Sequence, residues 1–576
     1  MFKSLLDWIR PTDNNSSLSK KFREVLQRII DTVLGALSSL GAGQAQHSHI
    51  QISCQRQYGI QNHNLGNENS ENLTATDIQQ DLNPELTAIN DMDWLNTVDW
   101  TQGDWLEQSN PLVTDHSLLV MSSSNNPGRL PVENSTVPFW HQEIHELHDH
   151  RTTEELPASS DVVIIGAGYA GISTAYHLTK GELSDNDLSI TILEARGVCS
   201  GATGRNGGHL RPDMYTPMSK LISRVGHELA LEVPQFEIAH IYAIKSLVEK
   251  EKIDCDFTLT RSIDVWCEEE AAVKAKAMYD TLASRDLDYM KDVFFVLGKN
   301  AEGISGVKGA KACASFTSAT LWPYKLILHL TKSILETGRI NLQTHTPVTS
   351  VTRRPSGDFL ISTPRGVIIT KKVVYANNAY ISSLLPQYSQ AIVPCKGLCT
   401  HISAPRGTKV PHLNNSYIVR EEDHVISYLI PRADGSIVVG GANSKYRPFL
   451  DQWYNNVDDS VLIQEVKDHF DGYMQRMFYG WENSGARVDK IWTGIMGYSW
   501  DSNPHIGVLP GQENEYVIAG FNGHGMPLVF LSALGIAKMI RNGEKFVDTG
   551  VPRVFQTTKE RLEGAKNDDS GGDILG

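Results

Sequence analysis

The chain has 576 residues, with 52 Lys and Arg against 67 Asp and Glu, a formal net charge of −15, and 40% hydrophobic against 21% charged residues. That composition is globular and the length calls for two or three domains, while collagen-like, wholly disordered and disulfide-dense classes are excluded. The acidic balance argues against a core that tracks nucleic-acid phosphates, which needs a basic face to displace counterions.

Seven cysteines, Cys54, Cys199, Cys255, Cys267, Cys313, Cys395 and Cys399, form no C-x-x-C pair. Their odd number argues against a disulfide framework and their spacing against a zinc ribbon, so no metal centre is expected and reduced thiols point to the cytoplasm. The stretch Met1-Phe2-Lys3-Ser4-Leu5-Leu6-Asp7 lacks the apolar core of a secretory signal, no segment approaches 18 uncharged apolar residues, and Asp573-Ile574-Leu575-Gly576 is not a peroxisomal tag. A soluble, non-secreted protein with no membrane partner is expected.

Charge is uneven along the chain. Residues 57–128 hold no Lys or Arg but eleven Asp and Glu. Ahead of them, Phe22, Val25, Leu26, Ile29, Ile30, Val33 and Leu37 recur at helical spacing between Ser19, placed as N-cap, and Gly41, which predicts one amphipathic helix. The Asn-, Gln- and Ser-rich tract that follows buries too little apolar surface to offset chain entropy and is expected to be disordered. Within it, the stretch from Asp91 to Leu106 sets Trp94, Leu95, Trp100 and Trp105 among carboxylates. That is the composition of an activation segment whose apolar groups stay solvated yet available to a protein partner; a solvated linker has the same composition. This leader, residues 1–128 and roughly a fifth of the chain, resembles in composition the tails of fungal transcription regulators, and a fused gene gives the same pattern.

From Asp161 the pattern changes. Val162-Val163-Ile164-Ile165 is an apolar run of buried-strand type, followed by Gly166-Ala167-Gly168-Tyr169-Ala170-Gly171, and Ile172, Ala175, Tyr176 and Leu178 continue at helical spacing. A second strand, Leu188 to Leu193, ends in Glu194, 23 residues after Gly171. This is a βαβ unit with G-x-G-x-x-G at its first turn, the pattern of a dinucleotide site. Gly166 permits the tight turn, Gly168 lets the backbone approach a pyrophosphate, and Gly171 lets the helix pack on the strand. The positive helix end receives the phosphates, and Glu194 accepts ribose hydroxyl protons. Next, Gly201-Ala202-Thr203-Gly204-Arg205-Asn206-Gly207-Gly208-His209 offers successive backbone N–H donors, a hydroxyl from Thr203 and a cation from Arg205, suited to a pyrophosphate and a flavin edge. Further on, Ser427 to Arg432 and Ser436 to Gly441, joined through Ala433-Asp434-Gly435, read as a β-hairpin.

These segments, with Glu194-Ala195-Arg196 and later Gly520-Phe521-Asn522-Gly523-His524-Gly525-Met526, resemble the D-amino acid oxidase-like FAD-dependent oxidoreductases. Among these, the chain looks closest to the fungal and bacterial branch that includes γ-glutamylputrescine oxidases. The resemblance runs from about Leu130 to about Val551. It implies an α/β plus α+β architecture, with a Rossmann-like FAD-binding domain of the GR2 type and an antiparallel sheet for substrate. The FAD-binding parts are expected at 129–254, 311–394 and 491–551, the substrate parts at 255–310 and 395–490, and a C-terminal tail at 552–576. It also implies FAD held by the three motifs, with the Val348 backbone against adenine, Asn377 and Gly494 near the dinucleotide, and a helix beginning near Pro527 to steady negative charge on the reduced ring.

A flavin carries the redox step, so the protein positions a C–H bond and sets protonation. For an amine with a pKa near ~10.4, presenting the neutral form at pH 7 costs about 4.6 kcal/mol, to be met by desolvation or a base. His209, His524 and Tyr428 are the catalytic candidates, and Tyr428 or Trp500 are candidates for an apolar cage. Family members that attach flavin covalently do so through a cysteine falling near Met496 or a histidine falling near Arg205, so the FAD is expected to be non-covalent. Where amino-acid oxidases of the family place a carboxylate-binding cation, this chain has Met526-Pro527-Leu528, which leaves Arg211, Lys396 and Arg487 as substitutes. The oxygen-activating lysine of sarcosine oxidases falls near Val438. The expected reaction is oxidation of a C–N bond in an amine, γ-glutamyl amine or amino acid by hydride transfer to flavin N5, hydrolysis of the imine, and reoxidation by O2. A dehydrogenase using another electron acceptor is one alternative, and a non-catalytic FAD-fold regulatory protein acting through the leader is another.

Overall fold

The computed structural model describes residues 130–181 and 188–567. The predicted amphipathic helix, the acidic tract, the activation-like segment and Cys54 lie outside the described residues.

The run Val162 to Ile165 ends a strand, Ser159–Ile165, at the hub of an eight-stranded sheet. Ile190–Leu193 and Gly366–Tyr375 flank it in parallel, Ile340–Gln343 and Glu515–Ala519 extend the parallel set, and His505–Val508 adds an antiparallel edge. A strand covered on both faces has no polar side to alternate with, which accounts for the unbroken apolar run. Val162 and Ile164 pack with the helices Tyr169–Thr179, Pro323–Leu335 and Val529–Asn542, while Val163 and Ile165 join a core on the other face with Val348, Phe359 and Tyr375. The first helix starts hard against its strand. A Cβ on Gly171 would lie 1.9 Å from the Gly166 carbonyl oxygen, and one on Gly166, at φ 110°, would meet the Ala376 carbonyl at 2.8 Å. Only glycine fits at either position.

A second, nine-stranded sheet runs in the order Arg487–Ser499, Ile392–Ser403, Ile437–Gly441, Ile426–Pro431, Ser416–Arg420, Thr258–Trp266, Ala312–Thr320 and His209–Leu210, with Phe294–Leu297 also on Ala312–Thr320. Its pairings are antiparallel except that of Ser416–Arg420 with Thr258–Trp266. The predicted hairpin lies within it, with Ser427 opposite Gly441 and Pro431 opposite Ile437.

Sheet membership cuts across the domain boundaries that the resemblance implies. Ala312–Thr320, expected within the FAD-binding part 311–394, and most of Arg487–Ser499, expected within 491–551, are strands of the nine-stranded sheet, as is His209–Leu210 from 129–254. Backbone pairing places them there, and a local motif does not encode pairing. Nor is 552–576 a free tail as far as it is described. The helix Lys559–Asn567 puts Leu562 and Ala565 into the core, and Arg561 grips Asp501 at 2.7 and 2.9 Å.

Buried charge ties the two sheets together. Arg196, just past the strand Ile190–Leu193, places both Nη atoms 3.1 Å from the Asp459 carboxylate, and Arg205 Nε lies 3.4 Å from it. The Asp459 side chain is 1% exposed, and its carbonyl oxygen accepts the Thr136 N–H at 2.8 Å. Removing one member of such a group leaves uncompensated charge in a dry interior. Asp459→Ala is therefore expected to lower stability by about 3–5 kcal/mol in urea denaturation; a loss below about 1 kcal/mol, the scale of an exposed pair, would mean that the cluster is idle.

Candidate active site

One cavity extends from the end of the first strand to the second sheet. Gly166, Gly168, Tyr169 and Ala170 line it at the first helix, where the Gly168 and Ala170 N–H groups meet no hydrogen-bond partner among the described residues. The Tyr169 N–H donates to Thr203 Oγ1 at 3.1 Å and so joins the two glycine turns. The Glu194 carboxylate accepts the Ala167 N–H on Oε2 at 2.8 Å and the Arg196 N–H on Oε1 at 2.9 Å. Two amides thus hold it at the strand tip, with lone pairs left over. Ala195, Val348, Asn377, Gly201, Ala202, Asn206, Gly207 and Gly494 line the same space, and Asn377 Oδ1 is enclosed without a partner. Unbonded amides at a positive helix end, a carboxylate within the cavity and an orphaned acceptor fit an adenine dinucleotide.

Several expected contacts lie elsewhere. Ala167 gives its N–H to Glu194, Gly171 packs on Gly166, and Gly208 is pressed against Leu321 and Ile430; none of the three lines the cavity. Arg205, expected to offer a cation to the dinucleotide, spends its guanidinium on the protein. Its Nε donates to the Ser200 carbonyl at 2.8 Å, Nη1 to the Thr493 carbonyl at 2.8 Å and Nη2 to Ser135, and its charge faces Asp459 at 3.4 Å. Arg196 is committed to the same carboxylate. Asn206 braces its own loop, donating to the Thr203 carbonyl at 3.0 Å and accepting the Gly208 N–H at 2.8 Å.

Toward the second sheet the lining changes to His209, Arg211, Leu398, Cys399, Ile418, Tyr428, Met496, His524 and Met526, with Gly523 and Gly525 around His524. Burial first, and then the Arg211 charge, pulls the His209 pKa down to about 3, so the ring is neutral, and its Nε2 is enclosed without a partner. The Tyr428 ring stands edge-on to it at 5.7 Å, with its hydroxyl 3.5 Å from Cys399 Sγ. Burial pushes the Cys399 thiol up to about 12 and the Tyr428 phenol upward, so both keep their protons. Arg211 gives Nη2 to both oxygens of Asp264 at 2.8 and 2.9 Å and Nε to Ser262 at 3.1 Å, while its Nη1 meets no hydrogen-bond partner among the described residues. Arg420 approaches the same Asp264 at 3.3 Å, so two guanidiniums share one carboxylate. His524 sits in the turn before the helix Val529–Asn542, which starts two residues beyond Pro527, and its Nε2 lies 3.2 Å from Glu237 Oε2, a charge contact and not an aligned hydrogen bond.

Three expected substrate residues are absent from the cavity lining. Lys396 is enclosed in the strand Ile392–Ser403 beside the charges of Asp458 and Asp459. Trp500 donates its indole N–H to the Arg561 carbonyl at 3.0 Å and packs on Gly564 of the last helix. Arg487 is exposed at the start of its strand. Sequence reasoning also passed over Glu237, Asp264, Cys399 and Asp459. Glu237 carried a signal, because it falls on the apolar stripe Ala230, Val233, Ile241, Ile244 of the helix His227–Glu251, where a carboxylate requires a partner. The other three had none, since their partners lie on distant segments.

The site invites comparison with known proteins. The chain is 25% identical over 69% of its length, and 87% of the relative's, to a probable oxidoreductase OrdL of Haemophilus influenzae. It is 23% identical to the gamma-glutamylputrescine oxidoreductase of Escherichia coli, over 67% of this chain and 85% of that protein. The crystal structure of glycine oxidase from Geobacillus kaustophilus superposes with a TM-score of 0.56 at 20% identity, covering 70% of this chain and 99% of that one, a likeness of fold. The family model for FAD dependent oxidoreductases, DAO, matches residues 161–539, and with the dinucleotide cradle in place the chain belongs to that family.

Proposed function

We propose that the chain oxidises a C–N bond in an amine that also carries a carboxylate, such as an amino acid or a γ-glutamyl amine. The observation that carries this reading is one continuous cavity, which joins the unbonded amides of Gly168 and Ala170 to a wall of His209, Tyr428, His524 and a partly free Arg211. Two relatives named for γ-glutamylputrescine and glycine support the substrate class.

Bound FAD would supply the hydride acceptor, with O2 as the proposed final oxidant. Gly168, Ala170 and Glu194 would hold its dinucleotide part, and Met496 and Arg205 stand where the resemblance places attaching residues, which supports non-covalent binding. The remaining work falls to the protein. At the second-sheet wall no carboxylate lines the cavity among the described residues, so an ammonium entering there leaves water without a counter-ion and is driven to shed its proton. That proton passes to water on entry, since the neutral His209 ring and the Tyr428 ring beside it close the wall without offering a charge or a base to keep it. Arg211 Nη1 binds the substrate carboxylate and so orients the C–H bond. The substrate carbon loses a hydride and its nitrogen a proton; water converts the resulting imine to a carbonyl compound and ammonia or an amine. A second reading, transfer to an acceptor other than O2, is favoured by Val438, which is enclosed in the sheet where the resemblance places an oxygen-activating lysine. Peroxide formed per turnover separates the two.

The purified protein is expected to be yellow and to bleach anaerobically with a γ-glutamyl amine or an amino acid but not with putrescine. Equal bleaching by putrescine would remove the carboxylate from the reading, and a colourless protein that refuses added FAD would remove the reading itself. Arg211→Gln is expected to raise KM for the carboxylate substrate roughly 10- to 100-fold, the scale of one charge-assisted hydrogen bond, in steady-state assays.

A further inference from the structure

Glu237 has no counterpart in any motif of the sequence, yet it is an enclosed acid beside the cavity wall. It sits on the helix His227–Glu251 with its side chain 4% exposed, accepts the Asp213 N–H on Oε2 at 2.5 Å, and lies 3.2 Å from His524 Nε2. The backbone hydrogen bond fixes the carboxylate, which sets its charge against the imidazole. His524 itself is 33% exposed, lines the cavity, and turns Nε2 away from it toward Glu237. Its other charged and titratable neighbours are Asp213, Arg211 and His209. Arg211 and Arg420 share Asp264, which leaves one positive charge over, against the two carboxylates of Glu237 and Asp213, so the local balance around His524 favours a positive charge.

We propose that Glu237 is a positioning residue that holds His524 as an imidazolium at the cavity wall, so that His524 steadies negative charge developing in the cavity and does not accept the substrate proton. This rests on the reading of the cavity as an FAD-dependent oxidoreductase site. The physical logic is a division of labour between two histidines in one wall. Burial lowers both, but only His524 has a carboxylate in contact, and Glu237 more than offsets the burial so that the net shift is upward. His209, without such a partner, stays neutral. Pairs of titratable groups pushed apart in this way mark separate roles, here a fixed charge and a ring kept neutral.

Two measurements on the holoenzyme test the proposal. Nitrogen-15 histidine NMR, with His524 assigned by its loss in His524→Asn, is expected to find His524 protonated at pH 7.5; a neutral ring there overturns the proposal without recourse to any Glu237 variant. In Glu237→Gln, which retains an acceptor for the Asp213 N–H, the affinity of the bound flavin for inorganic sulfite at pH 7.5 is expected to fall roughly tenfold, about 1.4 kcal/mol. The pH above which that affinity declines is expected to move down by about one unit relative to the native enzyme. A yellow Glu237→Gln protein with unchanged sulfite affinity and pH dependence overturns the proposal and leaves the oxidoreductase reading intact, whereas native protein that holds no flavin overturns that reading first.

Discussion

The contact between Gly171 and the Gly166 carbonyl is the constraint from which the site follows. With 1.9 Å between that oxygen and the place of a Cβ, the helix Tyr169–Thr179 can begin directly over the end of its strand, and no side chain fits between them. The helix end therefore faces the space at the tips of the parallel strands with two amides unspent. Glu194, at the tip of the neighbouring strand, reaches the intervening turn through the Ala167 N–H and becomes part of the same wall. An open parallel sheet places its crevice at the carboxyl ends of its strands, and here the glycine contact shapes that crevice for a phosphate-bearing ligand.

Around the crevice, charge is settled in three groups of different purpose. Asp459 absorbs Arg196 and Arg205 and leaves neither free for a ligand; its yield is a rigid junction between the sheets. Asp264 holds Arg211 and Arg420 but leaves Arg211 Nη1 open to the cavity, so one positive charge survives in the wall. Glu237 meets a single histidine. In each group the carboxylate is almost wholly enclosed, and in a dry interior an unpaired charge is costly, so the geometry of each pair is strongly determined. The same physics that makes these clusters expensive to break makes them precise holders of the groups beside them.

The core that surrounds the site has ordinary virtues. Continuous apolar runs are buried on both faces of the parallel sheet, and the second sheet presents to the cavity a mixture of aliphatic, thiol and aromatic groups that excludes water without supplying a counter-ion. That combination suits chemistry in which a neutral nitrogen is needed and the redox work belongs to a cofactor.

The parts of this protein legible in its sequence were those written in neighbouring residues. The βαβ unit, its glycines, Glu194, the second glycine turn and the hairpin at Ala433–Gly435 all depend on local backbone conformation and short-range periodicity, and both are properties of a short window. The fate of the charged side chains was not legible there. Arg205 looked like a ligand for phosphate until Asp459, 254 positions on, claimed it; Trp500 and Lys396 looked available until the last helix covered one and the sheet enclosed the other. Glu237 acquired a role only when the helix that carries it came to lie against the turn holding His524. Local conformation is decided by steric and hydrogen-bond terms between near neighbours, but the partner of a buried charge is decided by whichever distant segment folds beside it, and only the tertiary structure determines that.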